Sequence, residues 1–173
     1  MIFKFVVGIF FILFSTTAIA ASANKTVENE KKFVTVDVSG SVGNYNGQSY
    51  TEAHVGLNLN FTDWLTWRNS VFKRITSGSS TDTTGLDSSL LLSYNLDGIS
   101  VYAGPGYRWT SDSNKNGLVG QAGAAIQLGK ISLGAGAKYL RYDNAQFDSN
   151  GVEIKRDDIS YYVSISGGST WTF

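Results

Sequence analysis

The chain has 173 residues, with 19 glycines, one proline and no cysteine, and its 14 Lys and Arg balance 14 Asp and Glu. That length allows one domain, and the balance leaves no electrostatic case for nucleic-acid binding. Without cysteine there is no disulfide, thiolate metal site, cysteine nucleophile or lipoprotein anchor.

Residues 1–23 carry one early cation, Lys4, then an apolar run from Phe5 to Phe14, then Ala18-Ile19-Ala20 and Ala21-Ser22-Ala23. The apolar core is short for a spanning helix and the small residues suit a signal peptidase, so this is read as a cleaved secretory signal, cut after Ala20 or Ala23. Residues 24–32 form a polar tail. From there to residue 173 alternation takes over, and no helical period follows.

Eight strands are predicted in chain order. Phe33–Val42 sets Val34, Val36 and Val38 against Thr35, Asp37 and Ser39, and Thr51–Phe61 sets Val55, Leu57 and Leu59 against Glu52, His54 and Asn58. Leu65–Thr76 is noisier, with Arg68, Ser70, Phe72 and Arg74 on the face opposite Trp67, Val71 and Ile75. Thr84–Leu96 places Leu86, Leu90 and Leu92 against Asp87 and Ser89, and Ile99–Thr110 places Val101, Ala103 and Trp109 against Tyr102, Gly104 and Arg108. Leu118–Leu128 and Ile131–Tyr142 are rich in glycine and alanine. The last strand, Ile159–Phe173, keeps period two from Tyr161 to Trp171 and Phe173.

Phe61–Leu65, Asp97-Gly98 and Gly129-Lys130 read as tight connections. Gly43–Tyr50, Ser77–Thr83, Ser111–Gly117 and Asp143–Asp157 read as longer polar loops. An even number of strands with short turns at one end and long loops at the other predicts an all-β, eight-stranded antiparallel up-and-down barrel. Volume decides which face is outside. An eight-stranded barrel encloses only packed side chains, and the polar face mixes glycine with Arg, Lys, Tyr and Gln, as a tapered interior requires. The apolar face concentrates aromatics at both strand ends, which fits a bilayer, so the barrel is predicted to be transmembrane.

In this pattern the chain resembles the small eight-stranded outer-membrane barrel superfamily, the OmpX/OmpA-like proteins of Gram-negative bacteria. The resemblance extends over the mature chain as architecture and is most specific in the terminal strand. It implies an outer-membrane location and contact with membrane lipids and lipopolysaccharide. It also implies that Tyr161, Trp171 and Phe173 form a C-terminal signal read by the barrel assembly machinery. The expected role is structural or surface-interacting in a monomer, with a narrow pore second and a lipid-A-modifying enzyme third. No cofactor or enzymatic activity is expected.

The chemistry-bearing residues support that order. His54 is the single histidine and lacks the serine two residues on that the small-barrel lipid A deacylases carry. It is expected to be a hydrogen-bonded lumen filler. The segment Gly123–Ser132 has the wrong spacing for a phosphate loop, and its Gly-Lys falls in a turn. Asp143, Asp148, Glu153, Asp157 and Asp158 match no calcium loop and are expected to be solvated.

Register makes a sharper expectation. The Asp97-Gly98 turn places Asp87 opposite Arg108, and pairing Phe61 with Leu65 places Glu52 opposite Arg74, all inward. If the loop Ser77–Thr83 brings Arg74 beside Asp87, an ordered ladder Glu52–Arg74–Asp87–Arg108 crosses four neighbouring strands. With Asp37, Lys138 and the tyrosines, it would close the lumen.

Overall fold

The computed structural model describes residues 33–76, 82–147 and 150–167. The signal and polar-tail readings, and Trp171 and Phe173, lie outside these residues. Strands β1 (Val34–Tyr45), β2 (Gln48–Asn60), β3 (Leu65–Thr76), β4 (Thr83–Leu96), β5 (Ile99–Thr110), β6 (Gly117–Leu128) and β7 (Ile131–Tyr142) follow one another as antiparallel neighbours. A short hairpin, β8 (Gln146–Phe147) with β9 (Glu153–Ile154), precedes β10 (Asp157–Gly167). Strand β10 pairs with both β7 and β1 and closes an eight-stranded barrel.

Strand length fits a membrane. Twelve residues rise about 40 Å, and at the tilt of about 40° that closure imposes they span about 30 Å, the hydrocarbon thickness.

Burial is inverted relative to a water-soluble barrel. Glu52, Asp87 and Arg108 are 1–4% exposed, whereas Val38, Val55, Val71 and Leu92 are all above half exposed. Phe33, Phe61, Trp64, Trp67 and Tyr94 ring the end that carries the Asp97-Gly98 and Gly129-Lys130 turns (the turn end), all facing outward. Trp109, Tyr139 and Tyr161 face outward at the opposite, loop end. There Tyr139 donates to Asp157 at 2.5 Å and Tyr107 donates to Asp143, so the tyrosine hydroxyls meet polar groups at the rim. An apolar band between two aromatic girdles is the surface a bilayer selects.

Two sequence expectations need correction. Gly43–Tyr50 is not a long loop: β1 runs to Tyr45, β2 resumes at Gln48, and Asn46-Gly47 forms the turn between them. Both turn residues have positive φ, 51° and 75°, which the mirror-image hairpin turn demands and which Asn and Gly tolerate. The segment Asp143–Asp157 contains the β8–β9 hairpin, and the final strand begins at Asp157. The loop between β5 and β6 carries a short 3-10 turn, Ser113–Lys115, whose N-terminal amide is capped by Asp112.

On the glycine-rich wall of β6 and β7, Gly123 stands opposite Gly136 and Ala125 opposite Gly134. Tyr102 and Tyr162 fill the space before it, their hydroxyls 3.0 Å apart, and a Cβ on Gly136 would collide with both Tyr162 and the Ala122 carbonyl. Phe72 and Arg68 lie elsewhere: Phe72 covers Gly85, and Arg68 turns to Asp37. On the outer face Gly120 stands beside Tyr139 in open space.

Candidate functional site

The inward faces of six strands deliver charged residues to one level of the lumen, toward the loop end. The two register predictions hold as geometry: Asp87 is opposite Arg108, and Glu52 is opposite Arg74. The third link does not. Strands β3 and β4 pair Arg74 with Thr83 and Ser70 with Asp87, so Arg74 and Asp87 are four positions apart. The order of the ladder is therefore different from the one expected.

Reach across the lumen supplies the missing connection. Arg108 on β5 donates to Asp87 at 2.6 and 2.8 Å, and its remaining donors cross to Glu52 on β2 at 2.7 and 3.2 Å. Glu52 also accepts from Arg74 at 2.7 Å, and Arg74 continues to Asp158 on β10 at 3.1 Å. At the other end Lys138 on β7 donates to Asp87 at 2.7 Å. The result is an alternating chain, Asp158–Arg74–Glu52–Arg108–Asp87–Lys138, of three carboxylates and three cations. It joins strands β10, β3, β2, β5, β4 and β7.

Asp158 was expected to be a solvated loop acid. Instead it is 2% exposed and accepts from Tyr50 at 2.7 Å and from Tyr142 at 3.0 Å. These two tyrosines lie on the loop-end side of the charges, and Arg74 lies over the Tyr50 ring at 3.8 Å. Arg108 lies over Phe72 at 4.0 Å. Aromatic faces and opposite charges thus take the place of the water that each guanidinium loses. His54 stands in the same cluster, Nε2 3.0 Å from Glu52 and its ring 5.5 Å from Phe72, and is 2% exposed. Ser41 donates to Glu52 at 3.1 Å, which brings in β1.

A second, smaller pair lies on the turn-end side. Arg68 donates to Asp37 through a short contact and to Ser39 at 3.2 Å. No group of His, Asp and Glu with the arrangement of a metal site occurs among the described residues. Of the proposed C-terminal signal, Tyr161 is on the outer face at 65% exposure.

No family model matches the chain, and no curated protein does. Solved structures do. The crystal structure of Neisserial surface protein A aligns with a TM-score of 0.59 at 9% identity, covering 79% of this chain and 96% of that one. A barrel from the de novo design of transmembrane β-barrels aligns with a TM-score of 0.54 at 16% identity, covering 81% and 99%. At these identities the likeness is one of fold. Together with the inverted burial and the girdles, it defines the chain as a small eight-stranded transmembrane β-barrel.

Proposed function

We propose that this is an integral outer-membrane protein of a Gram-negative cell, with both barrel termini in the periplasm and a structural or surface-interaction role. The role follows from the resemblance to OmpX/OmpA-like barrels, and the fold likeness to a Neisserial surface protein supports the same location. The observation that carries the reading is the alternating chain of six charges across the lumen. A free pathway for ions would need those groups hydrated and apart; here each cation meets carboxylates at 2.6–3.1 Å. Outer-membrane lipids, lipopolysaccharide and the assembly machinery are the partners this placement supplies.

The test has two arms. A single cysteine at Asn114, in the β5–β6 loop, should react with a membrane-impermeant maleimide on intact cells. Proteoliposomes holding the purified barrel should not swell in arabinose. Absence of labelling on cells with labelling after lysis would refute the orientation, and rapid swelling would refute the closed lumen.

A further inference from the structure

The outer wall is interrupted at one place. More than three residues from the loop-end tips of the described strands, every outward position is apolar, aromatic or glycine except two, Asn69 on β3 and Ser88 on β4. The register sets these two directly opposite each other. Asn69 lies between Trp67 of the turn-end girdle and Val71, which is 59% exposed. Its spacing from Trp67 carries it about 5 Å inside that girdle. At that depth a bilayer offers hydrocarbon and no hydrogen-bonding group. The Ser88 hydroxyl accepts from the Trp67 indole at 2.9 Å. The Asn69 amide, by contrast, is partly exposed and makes no side-chain hydrogen bond among the described residues.

An amide without partners in hydrocarbon is costly, and an acyl chain supplies neither donor nor acceptor. A second copy of the chain supplies both. An amide carries a donor and an acceptor, so two copies of Asn69 satisfy each other reciprocally. A two-fold axis along the membrane normal keeps every residue at its own depth, and it is the arrangement that brings Asn69 to itself. The same rotation turns β2 of one copy toward β4 and β5 of the other. There the outer surface has a groove of about 470 Å³ bordered by Trp67, Ser88, Leu90, Pro105 and Tyr107. On the β2 side stands Leu57, opposite Asn69 in register and 52% exposed. A projection on one side of the amide and a hollow on the other make the surface complementary to itself. The middle of β7, across the barrel, presents Leu133, Ala135 and Ala137 and no polar group outward, so the contact closes as a pair.

We propose that the barrel forms a symmetric dimer in the membrane through the wall of β2 to β5, with the Asn69 amides hydrogen-bonded across the two-fold axis and Leu57 of each copy seated in the groove of the other. A dimer replaces the monomer expected from the resemblance. It rests on the membrane-spanning fold alone and is independent of the closed lumen and of the orientation proposed above.

The chain's lack of cysteine makes association directly measurable. Barrels carrying Asn114→Cys are labelled separately with donor and acceptor dyes and reconstituted together in phospholipid vesicles. Energy transfer should exceed that of randomly placed monomers and saturate as protein density rises. Asn69→Leu should weaken association at least tenfold while the barrel keeps its heat-modifiable gel mobility. At high dilution in lipid, where copies are apart, the same variant should unfold at a urea concentration no lower than wild type, since it removes an unpaired amide from hydrocarbon. Leu57→Ala should weaken association several-fold, and Ala135→Leu on β7 should leave it unchanged. Wild-type transfer no greater than random placement gives would overturn the dimer. Association that persists unchanged in Asn69→Leu and Leu57→Ala, or that Ala135→Leu weakens as much as they do, would overturn the interface.

Discussion

Replacing Arg108 with methionine tests the lumen network at its centre. The guanidinium is 2% exposed and makes four charge-assisted hydrogen bonds, two to Asp87 and two to Glu52. Methionine matches the stem and can still cover Phe72, so packing changes little. Three carboxylates then face two cations, Arg74 and Lys138. Removing one partner of a buried ion pair costs about 3–5 kcal/mol, because the other charge stays buried without compensation. Removing Glu52 as well, as Glu52→Gln, restores the balance: Asp158 keeps Arg74 and Asp87 keeps Lys138. The double variant should therefore be more stable than Arg108→Met alone, a coupling opposite in sign to simple addition. Lys73→Met, which breaks an exposed pair with Asp82, supplies the comparison and should cost less than about 1 kcal/mol. The assay is urea unfolding in phospholipid vesicles, read by tryptophan fluorescence and by the gel mobility of unheated samples. If Arg108→Met unfolds at the same urea concentration as Lys73→Met, or if the double variant is the sum of the singles, the network does not carry the load assigned to it.

Three further outcomes follow from geometry. Gly136→Ala should destabilise the barrel by about 1–3 kcal/mol, since the new methyl meets the Ala122 carbonyl and Tyr162, while Gly120→Ala on the open outer face should stay within about 0.5 kcal/mol; the same vesicle assay separates them. Asn46→Val with Gly47→Val should lose about 1–3 kcal/mol and slow refolding, because valine resists the positive φ at both turn positions, and unchanged refolding would contradict the turn assignment. Deleting Phe173 should lower the folded fraction in cells more than the stability of barrel refolded in vitro; equal heat-modifiable levels in the membrane fraction would remove the assembly role proposed for that end.

Much of the barrel was legible because tight turns fix register and period two fixes the face. Asp97-Gly98 and the Phe61–Leu65 connection were enough to place Arg108 opposite Asp87 and Arg74 opposite Glu52. The Asn46-Gly47 dipeptide is as strong a turn signal, but the polar run Gly43–Tyr50 around it reads as a loop when composition is weighed ahead of the dipeptide. The position of Arg74 relative to Asp87 was not legible. Strand β3 ends at Thr76 and β4 begins at Thr83, a separation too long for a dipeptide turn signal in the sequence to set the stagger between those strands. Nor could strand pairing reveal that Arg74 meets Asp158 and that Arg108 meets Glu52. Those contacts join non-adjacent strands through long side chains across a narrow interior, and they depend on closure of the whole barrel.

The closed lumen is tested most directly by the conductance of the purified wild-type barrel in planar lipid bilayers, recorded at both polarities in potassium chloride. The alternating chain from Asp158 to Lys138 predicts a baseline with no steady open level. A reproducible, ohmic open level in single-channel records would contradict it.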